Sequence, residues 1–152
     1  MNLNIDLQVA SDEDEHPPPA DFKRWVAAAI GNRRDAAQMC IRIVDSAEIT
    51  QLNGDYRAQP KPTNVLSFPA DLPDYIDIPL LGDLVICARV VNEEALQQHK
   101  TPQDHWAHMV IHGTLHLLGF DHIIDHEAQV MERLEIELLQ SLSIGNPYES
   151  IH

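Results

Sequence analysis

Within HGTLHLLGFDH, residues 112–122, three histidines fall where the ligands of one metal ion would have to fall: His112, His116 and His122. Residues four apart on a helix stack on one face with Cβ atoms about 5–6 Å apart, so His112 and His116 can aim their imidazoles at a common point. Gly119 offers a left-handed position at which the helix can end and the chain reverse, which returns His122 toward that point. Three nitrogen ligands and one open corner make a catalytic zinc centre, because the open corner holds water or substrate. One Zn2+ per chain is therefore expected, although three imidazoles also suit nickel, copper and iron.

The spacing matches the metalloprotease signature HExxHxxGxxH at all three histidines and at the glycine. It departs directly after the first histidine, where the general-base glutamate is replaced by Gly113, a residue that can move no proton. Peptide hydrolysis by that route is not expected. His105 and His108 share the helical face of His112 and His116 but lie one to two turns away, so packing or support of the ligands is the expected role. Asp121 could fix the tautomer of a ligand histidine or cap the turn, and the sequence does not choose between them. His16, His99, His126 and His152 have no partners at useful spacing and read as surface residues.

Arg57 is the second residue suited to chemistry. Its guanidinium is planar and permanently charged, which matches a phosphate, although in isolation it is a loop arginine.

Beyond HGTLHLLGFDH, the stretches LNGDYRAQPKPTNVLSFP (52–69), LLGDLVIC (80–87) and HWAHMVIHG (105–113) resemble, in order and separation, the YbeY family of bacterial endoribonucleases. The resemblance covers nearly the whole chain and is weakest near residues 12–15 and after Tyr148. It implies a single-strand-specific, metal-dependent endoribonuclease in ribosomal RNA processing, with 16S 3′-end maturation and ribosome quality control as its setting. Precursor ribosomal RNA would be the substrate, and proteins of the small ribosomal subunit and assembly factors the partners. It also implies catalysis by Arg57 together with His112, His116 and His122, and contacts from Lys61 and Ser67 to the RNA backbone. Asn64 stands where many relatives carry aspartate, so a general-base role there would have no carboxylate to perform it.

The chain has 152 residues, the size of one domain, and a domain over 1–152 is expected. No apolar run approaches the ~20 residues that cross a bilayer, and the N-terminus lacks the basic start and apolar stretch of a secretory signal; a cytoplasmic protein with no membrane partner follows. Cys40 and Cys87 lie in the apolar runs MCIRIV and LVICA and read as buried free thiols. A net charge of −14 argues against nucleic acid, since RNA binders usually present a basic surface. The objection is softened by Lys23, Arg24, Arg33, Arg34, Arg42, Arg57 and Lys61, which crowd the first 61 positions and could form a local basic groove.

The elements that must position these residues follow from periodicity. Leu3, Ile5, Leu7 and Val9 alternate as in a half-buried strand, and CIRIV, NVLSF and DLVICA are further β-prone runs. Helices are predicted over 20–30, from a Ser46 cap to about Tyr56, over 88–98, from the Thr101-Pro102 start through the histidines, and over 126–141 with Val130, Met131, Leu134 and Leu138 inward. The 69–79 segment, rich in proline and aspartate, is placed at the rim of the site. The sum is an α+β fold: a small mixed four-stranded sheet, about five helices, and a zincin-like metal-site helix running through the core.

Overall fold

The computed structural model describes residues 2–11, 15–73, 75–120 and 125–148. Its elements run β1 (Asn2–Val9), α1 (Pro19–Ile30), β2 (Ala36–Val44), α2 (Ser46–Arg57), β3 (Val65–Pro69), β4 (Leu80–Cys87), α3 (Ala88–Gln97), α4 (Pro102–Leu117) and α5 (Asp125–Ser141). Among the described residues these are the four strands and five helices of the α+β fold that the patterning implies. The sheet order is β1-β2-β4-β3, with β1, β2 and β4 parallel and β3 antiparallel to β4 at one edge.

Alternation along each strand gives the sheet two apolar faces. On one, Met39, Ile41, Ile43, Leu84, Ile86 and Val65 join the main core with Phe22 and Trp25 of α1 and Trp106, Val110, Ile111 and Leu115 of α4. On the other, Val44, Leu66, Val85 and Cys87 are covered by Ile49 and Leu52 of α2. At the far edge Leu3, Ile5 and Leu7 are half-buried as expected, whereas Val9 at the strand's end is exposed. Both cysteines are free thiols, Cys87 buried and Cys40 half-buried.

Helix α4 forms where the sequence places it. Thr101 caps it by accepting from the Asp104 amide at 3.1 Å, and Pro102 occupies the first turn, where its missing N–H costs nothing. The helix packs against α1, α3, α5, β3 and β4, so nearly its whole circumference is buried and its histidines stand on a fixed frame. Two expectations need correction. The cap of α2 is Asp45, whose carboxylate accepts from the Glu48 amide at 2.8 Å, and the helix runs one residue past Tyr56, to Arg57. In α5 Met131, Leu134 and Leu138 pack inward as expected and Glu135 and Leu139 are buried with them, while Val130 faces outward.

The β3–β4 pairing depends on Gly82. Its φ is 138°, and a Cβ there would lie 2.2 Å from the Phe68 carbonyl oxygen and 2.9 Å from the Ala70 nitrogen. Both atoms belong to the backbone and cannot move aside. Gly82→Ala is expected to lower unfolding stability by about 2–5 kcal/mol, from strained backbone together with overpacking. Urea denaturation reads this directly, and an unchanged midpoint would contradict it.

Candidate metal centre and RNA cleft

On α4 the Nε2 atoms of His112 and His116 stand 3.2 Å apart. Two nitrogen ligands of one tetrahedral ion with bonds of about 2.0–2.1 Å stand about 3.3–3.4 Å apart, so the pair is spaced as ligands. His122 and Asp121, the other residues of this region singled out from sequence, lie outside the described residues. Gly119 has φ 102°, as the expected chain reversal requires, and its amide closes the helix on the His116 carbonyl at 3.0 Å.

The other ring nitrogen of His112, Nδ1, donates to Glu135 Oε1 at 2.7 Å. Glu135 is fully buried in α5, and its second oxygen accepts from His108 Nε2 at 2.7 Å and from the Tyr148 hydroxyl at 2.5 Å. Burial alone would push this carboxyl up, but the hydrogen bonds from His108 and His112, the His112 charge and the Tyr148 hydroxyl outweigh it and hold it down at about 2. The same arrangement drives the Tyr148 hydroxyl far above its ordinary value, through burial and the carboxylate beside it. An ionised Glu135 fixes the hydrogen of His112 on Nδ1 and leaves the Nε2 lone pair directed at the His116 side, the usual support of a metal-ligating histidine.

His108, His112 and Glu135 also form a group that could hold a metal ion, with potential ligand atoms all within 4.8 Å of one another. The two placements share His112 and differ in which ring nitrogen is used. At Glu135 three hydrogen bonds of 2.5–2.7 Å already occupy the carboxylate. At Nε2 the imidazoles of His112 and His116 line an open cleft.

A carboxyl held below its unfolded value contributes stability that is complete above the unfolded pKa and is lost as pH falls through the folded one. For Glu135 that window runs from 4.5 to about 2. His108, whose pKa burial lowers against the opposing pull of Glu135, acts in the same direction below the ordinary histidine value. Chelator-treated protein is therefore expected to lose stability as the pH falls across this window, more steeply than Glu135→Gln. Thermal melts over a pH series test this, and parallel slopes would remove Glu135 from the acid transition.

The cleft has a volume of about 580 Å3. His112, His116, Gly119 and Phe120 line it from the α4 side, Asn64–Ser67 and Pro69 from the free edge of β3, and Tyr56 and Arg57 from the end of α2. Arg57 is thus brought to the same cavity as the two histidines. Its position is set by Ala58, which takes a left-handed φ of 55° with its amide on the Asn53 carbonyl, and by buried Asn53, whose side chain donates to the Lys61 carbonyl at 3.0 Å. Ser67 also lines the cleft, and Lys61 is not among its lining residues. Of the 69–79 segment, Pro69 alone lines it among the described residues.

The expected basic groove does not form here: Arg57 is the only permanently charged cation among the described lining residues. Arg42 instead makes two hydrogen bonds to Glu48, at 2.7 and 3.0 Å. Asn64 donates to Glu94 at 3.1 Å, and Glu94 also accepts from His105 Nε2 at 3.0 Å. Burial raises the Glu94 carboxyl, but these two donors outweigh it and pull it below its ordinary value. An aspartate at 64 would face that carboxylate, whereas the amide satisfies it.

Gly113 has a steric reason for lacking a side chain. A Cβ there would lie 2.8 Å from Leu84 Cδ2 and 3.3 Å from Ser67 Oγ, whose hydroxyl donates to the Gly113 carbonyl at 3.1 Å. Helix α4 is pressed onto β3 and β4 where a protease would carry its glutamate. His105 and His108 are hydrogen-bonded to Glu94 and Glu135, and neither lines the cleft among the described residues. Sequence reasoning missed Glu135 and Tyr148. The signal for Glu135 is a carboxylate in the middle of the i, i+4, i+8 line Met131, Glu135 and Leu139.

The model of the family described as endoribonuclease YbeY matches residues 8–143. Among solved structures, the solution structure of TM1509 from Thermotoga maritima superposes with a TM-score of 0.56 at 22% identity, covering 90% of this chain and 91% of that one. At that identity the likeness concerns the fold.

Proposed function

The chain belongs to the endoribonuclease YbeY family, and on that premise we propose that it cuts single-stranded RNA in the cleft between α4, β3 and the end of α2, acting as one domain over 1–152. The observation that carries the reading is the 3.2 Å pair of Nε2 atoms on one wall, with Arg57 lining the same cleft.

His112, His116 and His122 would hold one transition metal, zinc first and nickel as an alternative, in a zincin-like arrangement on α4 and the turn that follows it. When bound, the ion supplies Lewis-acid polarisation of the scissile phosphodiester. Glu135 accepts from His112 Nδ1 and so orients the ring with Nε2 toward His116. Arg57 places a forked, permanently charged donor against the phosphoryl oxygens as negative charge grows on them. Attack by water and by the ribose 2′-hydroxyl are both compatible with these residues. A peptidase reading lacks its base, since Gly113 has neither a carboxylate nor space for one.

The substrate is precursor ribosomal RNA near the 3′ end of 16S rRNA. The setting is ribosome maturation and quality control in the cytoplasm, with small-subunit proteins and assembly factors as partners. No helix among the described residues is long and apolar enough to cross a membrane. The test compares cleavage of one RNA as a single strand and as a duplex, with chelator and after returning zinc. Cleavage of the single strand alone, lost and restored with the metal, is expected. RNA binding without cleavage in any state would favour a non-catalytic assembly factor.

A further inference from the structure

The cleft carries an aromatic residue that this chemistry does not use. Tyr56 lines it immediately before Arg57 and is 54% exposed, a large apolar surface left open to water. The ring is not loose. It rests on Phe68 of β3 with centroids 4.5 Å apart and planes inclined by 51°, and Phe68 packs in turn on the Leu66–Val85 core of the sheet's second face. The other aromatic ring of the cleft, Phe120, is half-buried and has the Arg33 guanidinium 5.2 Å from its centroid. Tyr56 is thus the cleft aromatic that is both firmly backed and widely exposed.

The charge of the chain says what such a ring is for. At a net charge of −14, with one permanent cation among the described lining residues, the cleft can release few counterions from a bound nucleic acid. Other cations are engaged elsewhere: Arg24 with Asp21, Arg42 with Glu48, Arg89 with Glu93, and Lys100 with the Pro147 carbonyl. Beyond Arg57 and a bound ion, affinity for RNA then calls for a contact that does not depend on phosphate charge, and stacking of unpaired bases on aromatic rings is such a contact.

We propose that Tyr56, backed by Phe68, is a stacking subsite for an unpaired nucleobase beside the phosphate that Arg57 engages. The inference rests on the nuclease reading and deepens it. Bases in a duplex already stack on their neighbours and cannot occupy the platform, so it also selects single strands. Tyr56 is a binding and positioning residue and takes no part in proton or phosphoryl transfer.

The experiment uses the full chain loaded with zinc and a short single-stranded RNA carrying 2-aminopurine at successive positions around the cut. Wild-type protein should change the fluorescence of the probe at one position, and Tyr56→Phe should reproduce both that signal and the affinity. Tyr56→Ala should abolish the signal and weaken binding about 5- to 150-fold, with metal content unchanged. Tyr56→Leu, which keeps apolar cover over Phe68 without a π-face, should behave like the alanine variant. Tyr56→Ala should weaken binding without changing the slope of its salt dependence, since stacking releases no counterions. Alanine and leucine variants that bind within twofold of wild type and keep the signal would overturn the platform while leaving the nuclease reading standing. Wild-type protein that neither binds nor cuts the RNA would overturn that reading and the platform with it.

Discussion

Arg57→Ala is expected to slow single-turnover RNA cleavage by about 10³- to 10⁵-fold, the range over which an arginine stabilises a transferring phosphoryl group. Metal content and fold should be unchanged, because Arg57 is exposed at the last residue of α2 and that helix end is held by Ala58 and Asn53. The expected effect is large because, apart from a bound ion, the cleft offers little else for this task. No glutamate follows His112, Asn64 is an amide committed to Glu94, and no second permanent cation is found among the described lining residues. The loss should fall on the chemical step at saturating enzyme. Arg57→Lys should recover it in part, since an ammonium keeps the charge and loses the fork. A variant that cuts at the wild-type rate would remove Arg57 from the mechanism.

Glu135→Ala is expected to damage both stability and the metal site. The carboxylate is fully buried and accepts from His108, His112 and Tyr148, so its removal leaves buried His108 and half-buried His112 without their acceptor. A buried donor left without its acceptor costs about 1–3 kcal/mol, and the loss should appear as a lower urea midpoint with chelator present. Loss of the residue that orients a ligand histidine weakens metal binding by about 10- to 100-fold, read by competition with a coloured chelator. Tyr148→Phe, which removes one of the three donors, should show a smaller loss of both. Wild-type stability and affinity in Glu135→Ala would mean that His112 needs no partner.

The readable parts of the fold were those whose signals are local. The Thr101-Pro102 start and continuous apolar character of α4, the alternation of Leu3, Ile5 and Leu7, and the i, i+4 pair His112 and His116 each lie within one element. Sequence spacing therefore sets their geometry. The placing of Arg57 against His112 came from resemblance, because no local rule brings the end of one helix to the middle of another far along the chain. Glu135 was hidden for a different reason. An apolar-face reading of α5 selects Val130, Met131, Leu134 and Leu138, whereas the buried line runs through a carboxylate that only His108, His112 and Tyr148 make tolerable. The strand order β1-β2-β4-β3 rests on non-local pairing and on the close approach at Gly82, which composition does not reveal.

Metal stoichiometry in four single variants locates the ion. Elemental analysis of His108→Ala, His112→Ala, His116→Ala and His122→Ala, each purified without chelator, separates the two placements. About one metal per chain in wild type and in His108→Ala, with its loss from the other three, is the expected result. Full metal in His116→Ala and His122→Ala with loss from His108→Ala would put the ion at the His108, His112 and Glu135 group and away from the cleft.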